Sequence, residues 1–416
     1  MALRSRTAPA LALLAVSFTA LTLLFAVKGV EMPDALVYRA EGAAVVHGRD
    51  LYGFAVTEGR LPATYPPFAA LLFVPTAWLP DVALKAVFLT GNALLLAWLV
   101  HLSARLAGLP AGHLDGWPTG RPARRSADRP AAWAGCGPGL PLLCAATALA
   151  LWLEPVFQTF AFGQINLALA CLVLWDLTRP PGARGRGAGI GVAAGIKLTP
   201  GLFVVYLLLR GRRREAATAL AAFAGTVAVG GLVLPAASVT YWTRLVLDTD
   251  RVGKAWIIDN QSLQGLVARA LHTQTPGAAW LLPAVALGVA GLWAASRTDE
   301  ERWGVVLTGL TALLVSPISW SHHWVWCVPL IAVLLADGHR TWAALTALCF
   351  TARTMWFVPR AGDLDLHLPW WQQPLAAPYA LLTCALLAAT AVRRREARPP
   401  ARRRGLSSRP AVRPRP

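Results

Sequence analysis

Long apolar segments recur along the whole chain, and their length constrains the fold more than any other feature. Many approach the roughly 20 residues that an α-helix needs to cross a bilayer. Only 14% of the 416 residues are charged, against about 25% in soluble proteins, so polar surface is too scarce to cover several soluble domains. The sequence therefore predicts an all-α polytopic membrane protein.

About twelve segments qualify as transmembrane helices, although several are short or interrupted by Pro and Gly. We expect them to form one membrane domain over residues 1–392, with the N-terminus in the cytoplasm. The segments are residues 9–27, 67–79, 82–101, 140–153, 160–177, 188–209, 216–234, 278–295, 305–315, 324–336, 342–358 and 375–392.

Positive charge is concentrated at the C-terminal end. Residues 393–416 contain ten Arg and one Glu, so their net charge of +9 is half of the formal charge of +18. Excess Arg and Lys beside a membrane segment marks the cytoplasmic side, and Pro-rich polar composition favours disorder. We expect a basic, disordered cytoplasmic tail and no nucleic-acid binding.

Two Arg-rich stretches conflict with strict alternation of twelve crossings. Alternation places residues 105–138 and 179–187 outside, whereas the positive-inside rule favours the cytoplasm for both. A pair of half-helices over 189–209, broken near Lys197–Pro200, would relieve part of the conflict. Such broken segments line cavities in membrane proteins.

Two loops, residues 29–65 and 238–276, are too long to be mere connectors, and both follow odd-numbered segments. We therefore expect them on the same extracytoplasmic face. In the first loop, Pro33 and Asp34 open a pattern typical of a short amphipathic helix at the membrane surface.

Asp34 is the first candidate for chemistry, about six residues after the first apolar segment. An acid so close to hydrocarbon loses hydration, which raises its pKa and suits a general base. Asp also favours helix starts, and the two roles are compatible. Glu31 is the nearby competitor. Tyr65 precedes two prolines that would hold the loop where it re-enters the membrane.

Polar residues within apolar segments form the second group of candidates. Gln164 and Asn166 either bind substrate or tie helices together through hydrogen bonds. An intramembrane Lys is costly, so Lys197 at the predicted break indicates a phosphate site, unless its ammonium extends to the membrane interface.

The third group lies in and after the second long loop. Asn260, Gln261 and Arg269 offer amides and a cation suited to a sugar or phosphate, although ordinary loop polarity also explains them. Adjacent His322 and His323 point in different directions on a helix, so they are not a metal pair. They either donate to a lipid phosphate or belong to an interfacial aromatic belt.

Six short strings follow one another along the chain: Asp34 with Tyr38, Tyr65-Pro66-Pro67-Phe68, Gly163-Gln164-Ile165-Asn166, Gly195-Ile196-Lys197-Leu198-Thr199-Pro200, Asn260-Gln261-Ser262, and Ser316-Pro317 with Trp320, His322, His323 and Trp324. Their order and spacing resemble glycosyltransferase family 87, the polyprenyl-phosphate-mannose-dependent α-1,2-mannosyltransferases. The resemblance covers roughly residues 34–324, and residues 111–129 have no counterpart in it.

The resemblance implies a GT-C fold in the plasma membrane, with the active site at the first extracytoplasmic loop. It implies a polyprenyl-phosphate sugar donor, a lipid-linked or glycan acceptor, and no nucleotide sugar, metal or other cofactor. The family's catalytic carboxylate corresponds to Asp34. Its histidine near the donor phosphate corresponds to His322 or His323, and Lys197 or Arg269 would also meet the charge of the departing phosphate.

Two alternatives stay open from the sequence alone. The same fold could transfer another sugar, such as arabinofuranose or glucose, because pocket shape sets sugar choice. A lipid or solute transporter would also suit twelve crossings and an intramembrane Lys. Against a transporter stand the absence of a repeat relating the two halves and the two long patterned loops on one face.

Overall fold

The computed structural model describes residues 2–109 and 139–396, most of which lie in helices. A continuous core of buried apolar side chains joins these helices, from Leu21 near the start to Leu387 near the end. The helices of the first half are α1 (Ala2–Val27), α2 (Pro33–Val46), α3 (Pro67–Phe73), α4 (Asp81–Ala107), α5 (Leu140–Ala150), α6 (Glu154–Phe162), α7 (Asn166–Leu177), α8 (Ala188–Ile196) and α9 (Leu202–Leu209).

The second half continues in the same helical manner, and short 3-10 turns connect several helices. An antiparallel pair of two-residue strands, β1 (Ala55–Val56) and β2 (Leu61–Pro62), closes the first long loop. The remaining helices are α10 (Arg213–Val233), α11 (Pro235–Thr243), α12 (Leu263–Ala270), α13 (Ala278–Ser296), α14 (Glu301–Val315), α15 (Cys327–Ala336), α16 (Arg340–Ala352), α17 (Gln373–Ala376) and α18 (Pro378–Glu396).

Four helices in the described part of the chain are long and apolar enough to cross a bilayer: α4, α10, α13 and the Thr7–Val27 part of α1. The number rises to six if each of two bent pairs is one crossing. These pairs are α5 with α6, bent by 76°, and Trp370–Ala376 with Pro378–Val392, bent by 83°. The chain is therefore a helical membrane protein.

The predicted break at Lys197 is confirmed. Helix α8 ends at Ile196, and Lys197 is extended, with φ −149° and ψ 127°. A 3-10 turn over Thr199–Gly201 then leads into α9. Pro200 has no N–H to continue the helix, and it disfavours helical geometry for the residue before it. Backbone polar groups are consequently freed beside the Lys197 side chain.

Helices α8 and α9 form a hairpin rather than the continuous crossing predicted over 188–209. Arg186, just before α8, bonds to Glu215 and Glu301 at 3.2 and 3.4 Å. Arg212, just after α9, pairs with the same two acids. Both ends of the hairpin thus lie in one ionic cluster, and Lys197 lies at its tip.

We call the region around Arg186, Arg212, Glu215, Glu301 and Arg302 the ionic end. The Arg-rich stretch 179–187 belongs to it. Its charges are held by paired acids and by carbonyl oxygens at helix C-termini, which interact favourably with cations.

The two long loops meet at the opposite end, which we call the loop end. Helix α4, about 40 Å long, connects the two ends. Its first residue, Asp81, pairs with Arg39 of α2, and its last carbonyl, at Ala107, accepts from Arg302. Arg251 of the second loop donates to the Ala63 carbonyl of the first.

The first loop contains the predicted helix, which begins at Pro33 as expected. The predicted tail over 393–416 is described only as far as Glu396, to which α18 extends. Residues 397–416 and the Arg-rich stretch 111–129 lie outside the described residues.

Candidate active site

Asp34 lies in the first turn of α2, immediately after Pro33. Met32 before it adopts a left-handed conformation, with φ 56° and ψ 63°, although its side chain is buried. A non-glycine residue in this region is strained, and such strain is retained where surrounding packing fixes the backbone. The position of the Asp34 carboxyl is therefore set by the structure rather than by a mobile loop.

Gly163 brings α6 against the start of α2. It ends α6 with φ 69°, a conformation that glycine adopts without cost. A Cβ at this position would lie 2.7 Å from the Cβ of Ala35. The glycine of the Gly163–Asn166 string is thus required for the close approach that places Gln164 beside Asp34.

Gln164 organises the residues around Asp34. Its Oε1 accepts hydrogen bonds from the hydroxyls of Tyr38 and Tyr65, at 2.9 and 3.2 Å, and from Nδ2 of Asn166 at 3.3 Å. Its amide group also lies within hydrogen-bonding reach of the Asp34 carboxyl. The predicted candidates Tyr65, Gln164 and Asn166 therefore converge on the predicted base.

Lys197 supplies the cation of this cluster. From the tip of the α8–α9 hairpin, its Nζ donates to Oδ1 of Asn166 at 3.2 Å and lies 2.8 Å from Nε2 of His323. It also lies 5.6 Å from the centre of the Tyr65 ring. The ammonium therefore reaches into the protein rather than toward the membrane interface.

The two histidines occupy different positions. His323 contacts Lys197 through its ring nitrogen. The ring of His322 packs 5.1 Å from Phe162, and neither of its buried nitrogens has a partner among the described residues. Its backbone carbonyl accepts from Asn166 Nδ2 at 3.2 Å. The His323 ring thus bonds the Lys197 ammonium, while the His322 ring is free to bond a ligand.

A narrow cleft runs from this polar cluster along α7, α9 and α14, and we call it the side cleft. One end presents Asn166, Lys197 and His323. Apart from Thr199, its walls are otherwise apolar, formed by Leu169, Ala170, Val173, Pro200, Phe203, Gly309, Ala312, Leu313, Val325 and Trp326. The arrangement suits an amphipathic ligand with an anionic head and a hydrocarbon chain.

Burial raises the pKa of Asp34 to about 6. The Gln164 hydrogen bond and the charge of Lys197 oppose this rise, and the charge of Asp259 adds to it. A carboxyl with such a pKa is mostly ionised at neutral pH yet more basic than an ordinary Asp. These are the properties of a general base.

Three predicted site residues have other surroundings. Asn260, Gln261 and Arg269 are fully buried, and their side chains bond mainly to backbone groups of the second loop and its neighbours. Arg269 donates to the carbonyls of Trp256, Ile257 and Asn260, at 3.1 to 3.2 Å. The structure thus places these residues inside the loop's own framework and not on the side cleft.

Comparison with known proteins gives the same family as the motifs. The profile of glycosyltransferase family 87 matches residues 63–317. The chain belongs to glycosyltransferase family 87. It is therefore an enzyme of the hexosyltransferase class.

Within residues 2–109 and 139–396, no group of three or more His, Cys, Asp or Glu side chains could hold a metal ion.

Relatives within this family cover most of the chain. A polyprenol-phosphate-mannose-dependent alpha-(1-2)-phosphatidylinositol mannoside mannosyltransferase of Mycobacterium tuberculosis is 36% identical over 375 residues, 85% of this chain and 83% of that protein. The corresponding Mycolicibacterium smegmatis enzyme is 34% identical, over 85% of this chain and 82% of its own length. An M. tuberculosis pentamannoside mannosyltransferase is 32% identical, over 86% and 81%. No solved structure shows a significant match.

Sequence reasoning missed two acids near the site. Asp259 directly precedes the Asn260–Ser262 string, and its charge acts on Asp34. Glu41 lies two turns after Asp34 on α2 and is 1% exposed, with both carboxyl oxygens unpartnered among the described side chains. Glu41 could have been found from its seven-residue spacing from Asp34, because this spacing puts both acids on one helix face.

The buried Glu41 predicts a pH-dependent stability. Burial raises its pKa from 4.5 to about 8, although Arg251 opposes the rise. The native state therefore holds this proton more tightly than the unfolded state. Its contribution is complete below pH 4.5 and is lost as pH rises toward 8. We expect Glu41→Gln to stabilise the protein by on the order of 3 kcal/mol at pH 7 and by little at pH 4.5.

Thermal unfolding in detergent between pH 4.5 and 8 measures this difference. Glu58→Gln, an exposed acid in the same loop, is the matched control and should follow the wild type throughout. A stability difference for Glu41→Gln that stays constant over this range would show that the carboxyl is ionised in the native state.

Proposed function

We propose that this protein is an inverting mannosyltransferase that moves mannose from a polyprenyl-phosphate carrier to a hydroxyl of a lipid-linked or glycan acceptor, with an α-1,2 linkage. The observation that carries the proposal is the convergence of Asp34 with the Lys197–His323 pair at the head of the side cleft. A base and a cationic phosphate site are thereby held together, next to a surface for hydrocarbon.

The reaction requires one proton acceptor and one anion site. The acceptor hydroxyl gives its proton to Asp34, and its oxygen bonds to the anomeric carbon. The bond from that carbon to the phosphate oxygen breaks, and polyprenyl phosphate leaves with the electron pair. Lys197, His323 and the unpartnered ring of His322 face the charge that develops. A single-step displacement inverts the anomeric centre and needs no carboxylate nucleophile.

The side cleft gives the donor its place. Polyprenyl phosphate is an anion on a long hydrocarbon chain, and the cleft is cationic at one end and apolar beyond it. The first isoprene units come from the bilayer, so the apolar walls contribute packing contacts rather than removal from water, and they hold the phosphate at Lys197. The acceptor then enters from the loop end, where Asp34 faces it.

We infer a GT-C architecture in the plasma membrane, with the loop end and active site outside the cytoplasm. The ionic end and the basic tail, which begins at residue 393, lie inside. Both termini of the α8–α9 hairpin lie at the ionic end. The segment 67–79 likewise begins and ends at the loop end, since Arg39 bonds Leu79 and Asp81. Leaving out these two segments removes two of the twelve predicted crossings and keeps their number even, so the tail stays inside, as the positive-inside rule requires.

The names of the relatives support mannose as the sugar and a phosphatidylinositol mannoside as the acceptor class. The test is purified protein in liposomes, supplied with polyprenyl-phosphate carrying labelled mannose and a phosphatidylinositol mannoside. We expect labelled mannose in the acceptor, joined α-1,2. Transfer only from arabinofuranose or glucose carriers would instead establish another sugar, and movement of substrate across the liposome without transfer would establish a transporter.

A bulky side chain in the side cleft should interfere with the carrier chain. Ala312 lines the cleft and is 5% exposed. We expect Ala312→Phe to raise KM for a long-chain donor about tenfold or more, about 1.4 kcal/mol, because the larger side chain occupies space that the carrier chain needs. The matched control is Ala221→Phe, on the exposed face of α10. An unchanged donor KM in a folded Ala312→Phe protein would show that the carrier chain does not bind in this cleft.

A further inference from the structure

A second carboxylate, Asp259, is held beside the segment of the two histidines by backbone pairing. Asn260 and Trp320 form an isolated antiparallel bridge, and the Gln261 N–H donates to the Ser319 carbonyl at 2.9 Å. The Asn260 side chain accepts from the Ser319 N–H at 2.9 Å. The segment before the histidines is thereby tied to the second loop.

This pairing fixes the direction of the Asp259 side chain. Its Oδ1 accepts a hydrogen bond from the Ser321 N–H at 3.1 Å. Ser321 begins the 3-10 helix that contains His322 and His323. Asp259 is therefore attached to the element that presents the phosphate-facing residues, while its side chain is only partly buried.

The charges around Asp259 are unusual for a structural acid. Asp34 and Glu154 are both close enough to feel its negative charge. In the described part of the chain, Asp259 forms no salt bridge. Burial raises its pKa, and hydrogen bonding by Ser321 opposes that rise. A carboxylate placed near other acids without a cation is costly unless a ligand supplies its partners.

We propose that Asp259 contacts the transferred sugar, accepting hydrogen bonds from its hydroxyls and facing the positive charge that develops at the anomeric carbon. This inference rests on the proposed function. Asp259 forms no covalent bond and takes no proton in the reaction, because Asp34 receives the acceptor's proton. The negative charge of Asp259 stabilises an oxocarbenium-like transition state more than the neutral donor, which is the requirement for catalysis.

A sugar contact at Asp259 explains why the second loop is built so rigidly. The side chains of Asn260, Gln261 and Arg269 donate hydrogen bonds to backbone carbonyls of this region. A carboxylate that must meet particular hydroxyls has to be held within a fraction of an ångström, and buried side-chain hydrogen bonds to the backbone achieve this. These three residues are then positioning residues for Asp259 rather than substrate ligands.

The test compares Asp259→Asn with wild-type enzyme on polyprenyl-phosphate-mannose and on a series of analogues, each lacking one mannose hydroxyl. Asparagine keeps an oxygen for the Ser321 N–H and removes the charge. We expect kcat for mannose to fall about 10²-fold. For the hydroxyl that Asp259 binds, discrimination between donor and analogue should fall by at least tenfold, as for loss of a hydrogen bond to a charged group.

The two proposals fail in different ways. Wild-type enzyme that does not transfer mannose overturns the proposed function itself. Wild-type transfer combined with equal discrimination by Asp259→Asn for every singly deoxygenated donor overturns only the role of Asp259. Asp250→Asn, an exposed acid nine residues earlier in the same loop, should behave as wild type. Thermal unfolding of both variants separates a loss of contact from a loss of fold.

A second readout separates a sugar contact from a proton acceptor. If Asp34 is the base, Asp259→Asn keeps a rise of kcat with pH, at a lower rate and moved below pH 6, because the charge of Asp259 no longer raises the pKa of Asp34. Loss of that rise in Asp259→Asn, with its retention in Asp34→Asn, would make Asp259 the base and overturn its role as a sugar contact.

Discussion

Replacement of Asp34 by Asn is expected to lower the rate of mannose transfer by about 10³-fold, the order of magnitude of a positioned general base. Asparagine preserves the size of the side chain and a hydrogen-bonding group for Gln164, so the site should stay folded. Donor affinity should change little, because the proposed phosphate site consists of Lys197 and His323. The measurement is kcat together with donor affinity in a separate binding assay.

The matched control is Glu31→Gln, an exposed acid three residues earlier, which should keep the wild-type rate. The pH dependence gives a second check. Because the base must be ionised and burial raises the pKa of Asp34 to about 6, wild-type kcat should rise from pH 5 to pH 7 and then level off. An Asp34→Asn enzyme with undiminished turnover would refute the base assignment.

The fold was predictable where the local chemistry decides it. Thr199 and Pro200 after an intramembrane Lys indicated a broken helix. Pro33 with Asp34 indicated the start of a helix in the first loop, and both features are present. The hairpin of α8 and α9 was not predictable in the same way. Apolar length reports that a segment avoids water, but it does not report whether the chain crosses or returns. That choice is made by the distant pairing of Arg186 and Arg212 with Glu301.

The site was predictable where one residue is costly in its setting. An acid beside hydrocarbon, a membrane-depth Lys and amides in an apolar helix each demanded a partner, and Asp34, Lys197, Gln164 and Asn166 are indeed partners of one another. Asp259 carried no such signal, because an acid in a polar loop is ordinary. Only the pairing of residues 260–261 with 319–320 brings it to Asp34, and sequence spacing contains no trace of that contact.

Replacement of Lys197 by Met should have the other large effect. Met keeps most of the length of the side chain and removes the ammonium that bonds Asn166 and His323. The departing phosphate then loses its fixed cation. We expect kcat to fall by about 10²- to 10³-fold, as for loss of a preorganised group at a developing anion. Donor affinity should fall as well, because the ground-state phosphate meets the same charge.

The comparison with Asp34→Asn makes this prediction specific. Both variants lose turnover, but only Lys197→Met should also lose affinity for polyprenyl phosphate without a sugar, since that ligand tests the anion site alone. Lys28→Met, an exposed Lys at the end of α1, should bind it as wild type does. Lys197→Arg should recover affinity partly, because its charge is retained while its planar group fits the Asn166–His323 pair differently. Full affinity for polyprenyl phosphate in Lys197→Met would show that Lys197 does not bind the donor and would assign the phosphate to His322.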